Sequence, residues 1–380
     1  MKTIAFFMMA AIALGYLLLV TLRRKASANF RSVDAIIPCF NEEACIADSL
    51  TYLMRNPYFN RVICVNDGST DGTAAELARL QQEYGERLVV VSQTNTGKGG
   101  ALMKGLQYVT TDQVFLTDAD TYVPPDKSIG FLLAEIEAGA DAAGGIPSSN
   151  LRNGAGLLPH IRASVKLPMI IIKRTFQQML GGAPFIISGA CGMFKTEVLR
   201  KYPFSDRTKV EDLDLTWQLV AAGHKVRQAN RCIVYPQECN TVTEEWKRWR
   251  RWIVGYAVCM RLYPRLLITR FGLFSILPML GLVMLGVAVY AINWADSFSN
   301  EGPIGIFHSL FPLTWVLVVM AIGMFCAVFH QRKRLVFLAP LAICYVLLAY
   351  AIWISHGIKG LFTGREPARD KPTRYPHVER

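Results

Sequence analysis

Hydrophobic positions along the chain fall into two regimes. Residues 4–22, 266–293, 304–329 and 335–355 are near-continuous apolar runs, each long enough for the ~20 helical residues that a bilayer core needs. Between residues 25 and 265 the apolar positions come instead in short β-branched runs, at 33–37, 61–65, 88–91 and 113–116, each separated from the next by a helix-like segment. That alternation predicts an α/β domain on a parallel sheet with right-handed crossovers. The chain therefore divides into a membrane anchor at 1–24, an α/β domain at 25–240, an amphipathic helix at 241–265, three apolar membrane segments at 266–356 and a basic tail at 357–380.

Two stretches are amphipathic. In 243–260, Trp246, Trp249, Ile253, Tyr256 and Met260 recur at helical spacing, which predicts an interfacial helix with its aromatic face toward lipid and its basic residues toward water. Residues 157–180 interleave Arg162, Lys166, Lys173 and Arg174 with Leu, Ile and Met, and are expected to lie along the membrane too.

Composition alters this picture through charge and cysteine. The net charge of +12 is concentrated beside the apolar runs and on the two amphipathic stretches, not in a stripe with base-stacking aromatics. This points to anionic lipid headgroups and away from nucleic acid. Nine cysteines occur without CxxC spacing, which indicates no disulfide framework or zinc site and suits a reducing cytoplasm. Arg23, Arg24 and Lys25 close the first apolar run as in an uncleaved anchor, and place the α/β domain in the cytoplasm of a multi-pass cell-membrane protein. The basic loop 331–334 reads as inside, and the loop 294–303, with Asp296 and Glu301, as outside. Three crossings after the domain would leave the tail outside, whereas Lys359, Arg365, Arg369, Lys371, Arg374 and Arg380 favour inside. A re-entrant segment around Pro340 would reconcile the two.

In parallel α/β sheets, ligands bind beyond the carboxyl ends of the strands. Here the four strands run into Pro38-Cys39-Phe40-Asn41-Glu42-Glu43, Asn66-Asp67-Gly68-Ser69-Thr70-Asp71-Gly72, Asn95-Thr96-Gly97-Lys98-Gly99-Gly100 and Asp118-Ala119-Asp120. Each cluster alone has an ordinary reading: a turn with Ser69 or Asp71 capping a helix, a flexible glycine loop without P-loop spacing, a solvated Asp pair. All four on one rim point to a site. A carboxylate pair beside a lysine and glycine-rich backbone suits a divalent cation, Mg²⁺ or Mn²⁺, bridging a diphosphate and offsetting the charge of a leaving nucleoside diphosphate.

Further along, Glu211, Asp212 and Asp214 open an amphipathic helix. One of them would serve as the base for an acceptor hydroxyl, while pairing with the helix dipole accounts equally well for Asp214 and Glu211. The small residues Gly189-Ala190-Cys191-Gly192, after a strand-like run at 185–188, would let a sugar approach the backbone or form a packed turn.

Taken in order, IIPCFNEE, VNDGSTDG, GKGGAL, DAD, VEDLDLTW and RWRRW closely resemble the motif series of glycosyltransferase family 2, over residues 33 to 255. The likeness is to its membrane-embedded branch of cellulose, chitin, hyaluronan and poly-N-acetylglucosamine synthases. The resemblance implies a GT-A-type α/β nucleotide-sugar-binding domain with α-helical transmembrane segments, and an inverting, metal-dependent transfer from a UDP-sugar. It further implies that Pro38, Phe40, Glu42 and Asp67 hold the nucleoside and that Lys98 lies near base and phosphates. Asp118 and Asp120 would hold the metal beside the donor diphosphate, and Asp212 would be the general base. Arg248 and Arg251 would contact the diphosphate, Trp252 would stack on the acceptor sugar, and Gly189 and Ala190 would flank it. Arg248 stands where the family more often has Gln. The tail segment 364–374 resembles the closing segment that follows the last span in some relatives, without its tryptophan.

Three classes of function remain after this reading. The first is a processive synthase extending and exporting a polysaccharide, with UDP-N-acetylglucosamine favoured by family weight. The second adds a single sugar to a membrane lipid such as a polyprenyl phosphate or a glycolipid. The third, a binding protein without turnover, is disfavoured because nothing in binding alone demands Asp118, Asp120 and Asp212 together.

Overall fold

The computed structural model describes residues 25–151, 155–205, 207–278, 303–364 and 372–375, with only the helical path given for 303–315. The apolar run at 4–22 and most of that at 266–293 lie outside the described residues.

Strands β1 (Val33–Cys39), β2 (Phe59–Asp67), β3 (Leu88–Gln93) and β4 (Gln113–Leu116) fall on the four expected runs. They pair in parallel, β1 with β2 and β4, and β2 with β3. Helices α1 (Ile46–Arg55), α2 (Thr73–Tyr84) and α3 (Gly97–Leu106) make the crossovers. Along β1, Val33, Ala35 and Ile37 enter one hydrophobic cluster and Ile36 the other. Both faces are thus buried, which is why these runs are continuously apolar rather than alternating.

The sheet then departs from the all-parallel expectation. Four further strands, β5 (Thr121–Tyr122), β6 (Ala142–Pro147), β7 (Gly192–Lys195) and β8 (Val226–Pro236), extend it to eight, in the order β3-β2-β1-β4-β7-β6-β8-β5. β7 runs antiparallel between β4 and β6, β5 runs antiparallel to β8, and β6 pairs β8 in parallel. The run at 185–188, expected as a strand, carries no ladder. Its amides are used elsewhere: Phe185 N donates to Gln177 Oε1 at 3.1 Å and Ile187 N to Thr216 Oγ1 at 3.0 Å.

The second half contributes α4 (Ser128–Glu137), α5 (Leu157–Gly181), α6 (Thr196–Lys201), α7 (Glu211–Ala221), α8 (Val242–Leu262), α9 (Pro303–Phe329) and α10, a composite helix over Leu335–Thr363. Thr241 caps α8, its hydroxyl oxygen accepting from Glu244 N at 3.2 Å.

Both amphipathic stretches are helical, and on α8 the aromatic face expected to meet lipid packs against the protein instead. On α8, Ile253 and Met260 are buried, and Trp246, Trp249 and Tyr256 pack half-buried on the same core. The lipid-anchoring role expected of Trp246 and Trp249 is therefore corrected, because α8 packs this face against the protein. On α5, Arg162, Lys166 and Arg174 turn inward while Lys173 stays exposed. Arg174 is buried with Nη1 2.8 Å from the Gly145 carbonyl, and Arg162 and Lys166 reach acidic partners, while Leu157, Met169, Phe176 and Leu180 are exposed. A helix that hides three of these four cations and shows large apolar side chains suits a nonpolar surrounding.

Among the described residues, α10 is the one helix long and apolar enough to cross a membrane. It runs past the expected end at 355, tightening at Ala339–Ala342 around Pro340 and widening at Trp353–Gly357. Both ends touch the elements around the α/β domain. Just before it, Arg332 Nη2 donates to the Leu151 carbonyl at 3.3 Å and Arg334 meets His160; near its end, Arg261 Nη1 donates to the Phe362 carbonyl at 3.1 Å. The helix lies along α5 and α8 rather than projecting from them. The tail returns to the same domain, where Thr373 N donates to Glu244 Oε1 at 2.9 Å and Tyr375 N to Gln237 Oε1 at 3.3 Å. Residues 372–375 therefore lie against α8 and the loop after β8.

Candidate active site

The parallel strands β1, β2, β3 and β4 end along one edge, and the four polar clusters form one rim there. Gly68 shows how tightly they meet: its φ is +70°, and an added Cβ would lie 2.9 Å from Asn95 N. A left-handed residue without a side chain is required at that crossing.

Asp67, at the end of β2, is buried and binds the third loop. Its Oδ1 accepts from Gln93 Nε2 at 2.7 Å and Thr96 N at 2.8 Å, and its Oδ2 from Gly97 N at 2.9 Å. It therefore sets the start of α3, and with it Lys98. Of the other expected nucleoside-binding residues, Pro38 lies within β1, Phe40 stands 37% exposed after it, and Glu42 is buried. Glu42 N donates to Thr73 Oγ1 at 2.7 Å, and Glu42 Oε2 is 3.2 Å from Arg374 Nε.

Lys98 reaches across the rim. Its Nζ pairs with Asp118 and lies 3.6 Å from Glu211 Oε1. It thereby joins the expected metal pair to the helix that carries the expected base.

Asp120 is buried and paired with Arg374, whose Nη1 is 2.5 Å from Oδ2. Burial pushes its carboxyl up to about 6; Arg374 opposes the rise, and Asp118 and Glu42 add to it. Asp118 and Asp120 fit a divalent cation by donor chemistry: both are hard carboxylates, and each is now neutralised by one cationic side chain. Two carboxylates leave the rest of an octahedral shell to water and phosphate oxygens, the arrangement Mg²⁺ prefers.

Asp212 lies in the first turn of α7. Gly189 N donates to its Oδ2 at 3.0 Å and Leu213 N to its Oδ1 at 2.9 Å. Burial raises its pKa and the adjacent Glu211 raises it further, against Lys98, the Gly189 amide and Arg251. A base held above the ordinary carboxylate range binds a hydroxyl proton more readily. Gly189 is closely fitted, since an added Cβ would sit 2.6 Å from Lys98 Nζ. The segment that presents it is pinned by Trp217, fully buried, whose Nε1 donates to the Phe185 carbonyl at 3.0 Å. Ala190 is buried, its carbonyl accepting from Thr117 Oγ1 at 2.9 Å, so it serves as packing beside the site rather than as an open surface.

The RWRRW residues divide between two places. Arg251 Nη1 donates to the Lys209 carbonyl at 3.1 Å, beside the start of α7, and its charge acts on Asp212. Arg248, expected to contact the diphosphate, is paired with buried carboxylates. Its Nη2 lies 2.8 Å from Glu238 Oε2 and also pairs with Glu245. Arg162 Nη1 joins both carboxylates, at 3.3 Å from Glu238 and 2.6 Å from Glu245, and Lys166 Nζ is 2.5 Å from Glu238. These cations hold the Glu238 carboxyl far below the usual range in spite of its burial. Trp252 lies against this network, with the guanidinium carbons of Arg248 and Arg162 at 5.3 and 5.5 Å from its ring centre.

No local pattern marks this buried network or the pairing of Arg374 with Asp120. Its members lie on α5 (162 and 166), on α8 (245 and 248) and in the loop after β8 (238). In the sequence Arg162 and Lys166 belong to a stretch expected along the membrane, and Arg248 to a diphosphate contact.

A mixed sheet of this order, with an Asp pair at the central strand end and a carboxylate helix facing it across a lysine, defines a GT-A-type glycosyltransferase domain. The family model for glycosyl transferase family 2 matches residues 34–203. A glycosyltransferase of Escherichia coli (strain K12), described as the uncharacterized YaiP, is 66% identical over 99% of this chain and 94% of its own. The chain belongs to glycosyltransferase family 2 and is an enzyme of the glycosyltransferase class. Its similarity to poly-β-1,6-N-acetyl-D-glucosamine synthase of Staphylococcus aureus (strain COL) is 28% identity over 62% of this chain, spanning 58% of that synthase. In structure it is similar to the mannosyltransferase PcManGT of Pyrobaculum calidifontis, solved with GDP-Man and Mn²⁺, at a TM-score of 0.55 and 17% identity, covering 94% of this chain and 98% of that one.

Proposed function

We propose that this chain transfers a sugar from a UDP-sugar to a growing polysaccharide at the cytoplasmic face of the cell membrane, with inversion at the anomeric carbon. One observation carries the reading: Lys98 links Asp118 of the rim to the helix that starts with Glu211 and Asp212. Donor and acceptor machinery thus meet at one point. Likeness to the poly-N-acetylglucosamine synthases favours UDP-N-acetylglucosamine as donor. The exposed apolar sides of α5 and α10 support a membrane location.

In this reading Asp118 and Asp120 hold Mg²⁺ or Mn²⁺, which supplies positive charge to the leaving nucleoside diphosphate. Asp67, Phe40, Pro38 and Glu42 form the nucleoside end, and Lys98 and Arg251 face the phosphates. Asp212 accepts the proton of the acceptor hydroxyl as its oxygen bonds to the anomeric carbon and the bond to the diphosphate breaks. Trp252 offers an indole face to the acceptor.

The test is to supply UDP-N-acetylglucosamine and Mn²⁺ to purified protein in vesicles and size the product. A polymer supports the reading; one labelled sugar on extractable lipid overturns it in favour of a lipid acceptor. In parallel, Asp120→Ala should abolish metal-dependent donor binding. Donor affinity that ignores both this change and a chelator would remove the metal assignment.

A further inference from the structure

The C-terminal residues 372–375 form a strap across the donor rim, and its one cation lands on the expected metal carboxylate. Four polar contacts anchor the strap at two places. Thr373 binds Glu244 Oε1 through both N and Oγ1, each at 2.9 Å. Tyr375 N donates to Gln237 Oε1 at 3.3 Å, and Gln237 Nε2 returns a bond to the Tyr375 carbonyl. Between these anchors Arg374 is only 16% exposed and divides its guanidinium between Asp120 and Glu42, at 2.5 and 3.2 Å. Gln237 is itself tied to the site, its N donating to the Asp120 carbonyl oxygen at 3.1 Å.

The charges decide what this arrangement does. With Oδ2 of Asp120 2.5 Å from a guanidinium nitrogen, a divalent ion on the same carboxylate would sit against a like charge at close range, so the two cations oppose each other's binding. Nor is the docked strap fully satisfied: the buried Tyr375 hydroxyl has no hydrogen-bond partner among the described residues. A docked state that leaves a polar group unpaired is poised for release.

We propose that Arg374 and the divalent cation are alternative occupants of Asp120, so that the strap is a built-in competitor of the metal. This rests on the reading of Asp118 and Asp120 as the metal pair. Metal then binds only to the fraction of molecules with the strap released, and its apparent affinity falls by that fraction. Once released, Arg374 leaves Glu42 as well, so strap position couples cation binding to the nucleoside end of the site.

The experiment titrates Mn²⁺ alone into the full-length protein in detergent, reading bound ion by electron paramagnetic resonance. If the strap is docked in nine molecules of ten, Arg374→Gln should tighten Mn²⁺ binding by about tenfold. Arg374→Lys, which keeps a competing charge, should stay near wild type. Thr373→Val loosens the strap without touching the site and should shift affinity in the same direction by less. Cleavage by trypsin after Arg374 should rise with Mn²⁺ in the wild type. Unchanged or weaker Mn²⁺ binding in Arg374→Gln overturns the proposal, as it would show the arginine to be indifferent to the ion or to assist it. Asp120→Ala separates the two levels: if wild-type Mn²⁺ binding survives that change, the metal pair itself is wrong, whatever Arg374 does.

Discussion

The backbone amide of Gly189 holds Oδ2 of Asp212 at 3.0 Å, and the space where Gly189 would carry a side chain is taken by the Lys98 ammonium, 2.6 Å from an ideal Cβ. One glycine thus fixes the spacing between Asp212 and the lysine that reaches Asp118. Gly189→Ala should push Lys98 and Asp212 apart by a fraction of an ångström to an ångström, and cost about 10²-fold in transfer. Initial rates and a melting curve check this. Near-normal turnover, or a loss explained by unfolding, would mean the close fit has no catalytic role.

Asp212→Asn should leave Mn²⁺ and donor binding intact and slow transfer by about 10²–10⁴, the usual cost of a lost general base. Donor binding by calorimetry and single-turnover transfer separate the two. Turnover close to wild type would move the base to Glu211.

The same pair sets the pH dependence. The base works ionised, so transfer falls as pH drops through the pKa of Asp212, which burial and Glu211 hold above the usual carboxylate range. Removing the neighbouring negative charge in Glu211→Gln should lower that pKa and move the acid limb of kcat/KM to lower pH. An acid limb that stays in place would show that Glu211 does not act on the base.

What was legible in the sequence follows from how local each signal is. β1 to β4 end in turns written with Asn, Asp and Gly, and their side chains are buried on both faces, so hydrophobic runs and polar rims are adjacent in the chain. β6 reads AAGGIP and β7 reads GMFK, too small and too short for a β pattern; their place is set by pairing with β4 and β8. The packed face of α8 was not legible for a different reason. Periodicity locates a stripe but not which side is solvent, and here Glu238 and Glu245 draw Arg162, Lys166 and Arg248 inward. The Arg374 contact spans 254 positions back to Asp120, a distance over which no local pattern speaks.

Glu238 tests that inward network. It is 2% exposed and answers three cations while accepting from Ser149 Oγ at 2.8 Å. Glu238→Ala leaves those charges buried together without their counter-ion, which should cost about 3–5 kcal/mol. Thermal or denaturant unfolding in detergent measures it. A loss under about 1 kcal/mol would place these charges in an exposed surface network.

The last prediction concerns the product and rests on Trp252. If the enzyme is processive, the chain end must be held after each transfer and then advance, and an indole face grips a sugar ring without fixing its position along the chain. Trp252 is well placed for stiffness: it packs edge-on to Trp249 at 5.7 Å between ring centres, and Trp249 is itself fixed by its Nε1 bond to Glu245 at 2.7 Å. Trp252→Ala should therefore shorten or abolish polymer while leaving UDP-sugar affinity unchanged. Trp252→Phe, which keeps a flat ring, should restore intermediate lengths. Sizing products on gels alongside donor affinity decides the matter. If Trp252→Ala yields full-length polymer, the acceptor is held elsewhere. If donor affinity falls in step with chain length, the tryptophan supports the site as a whole and not the chain end.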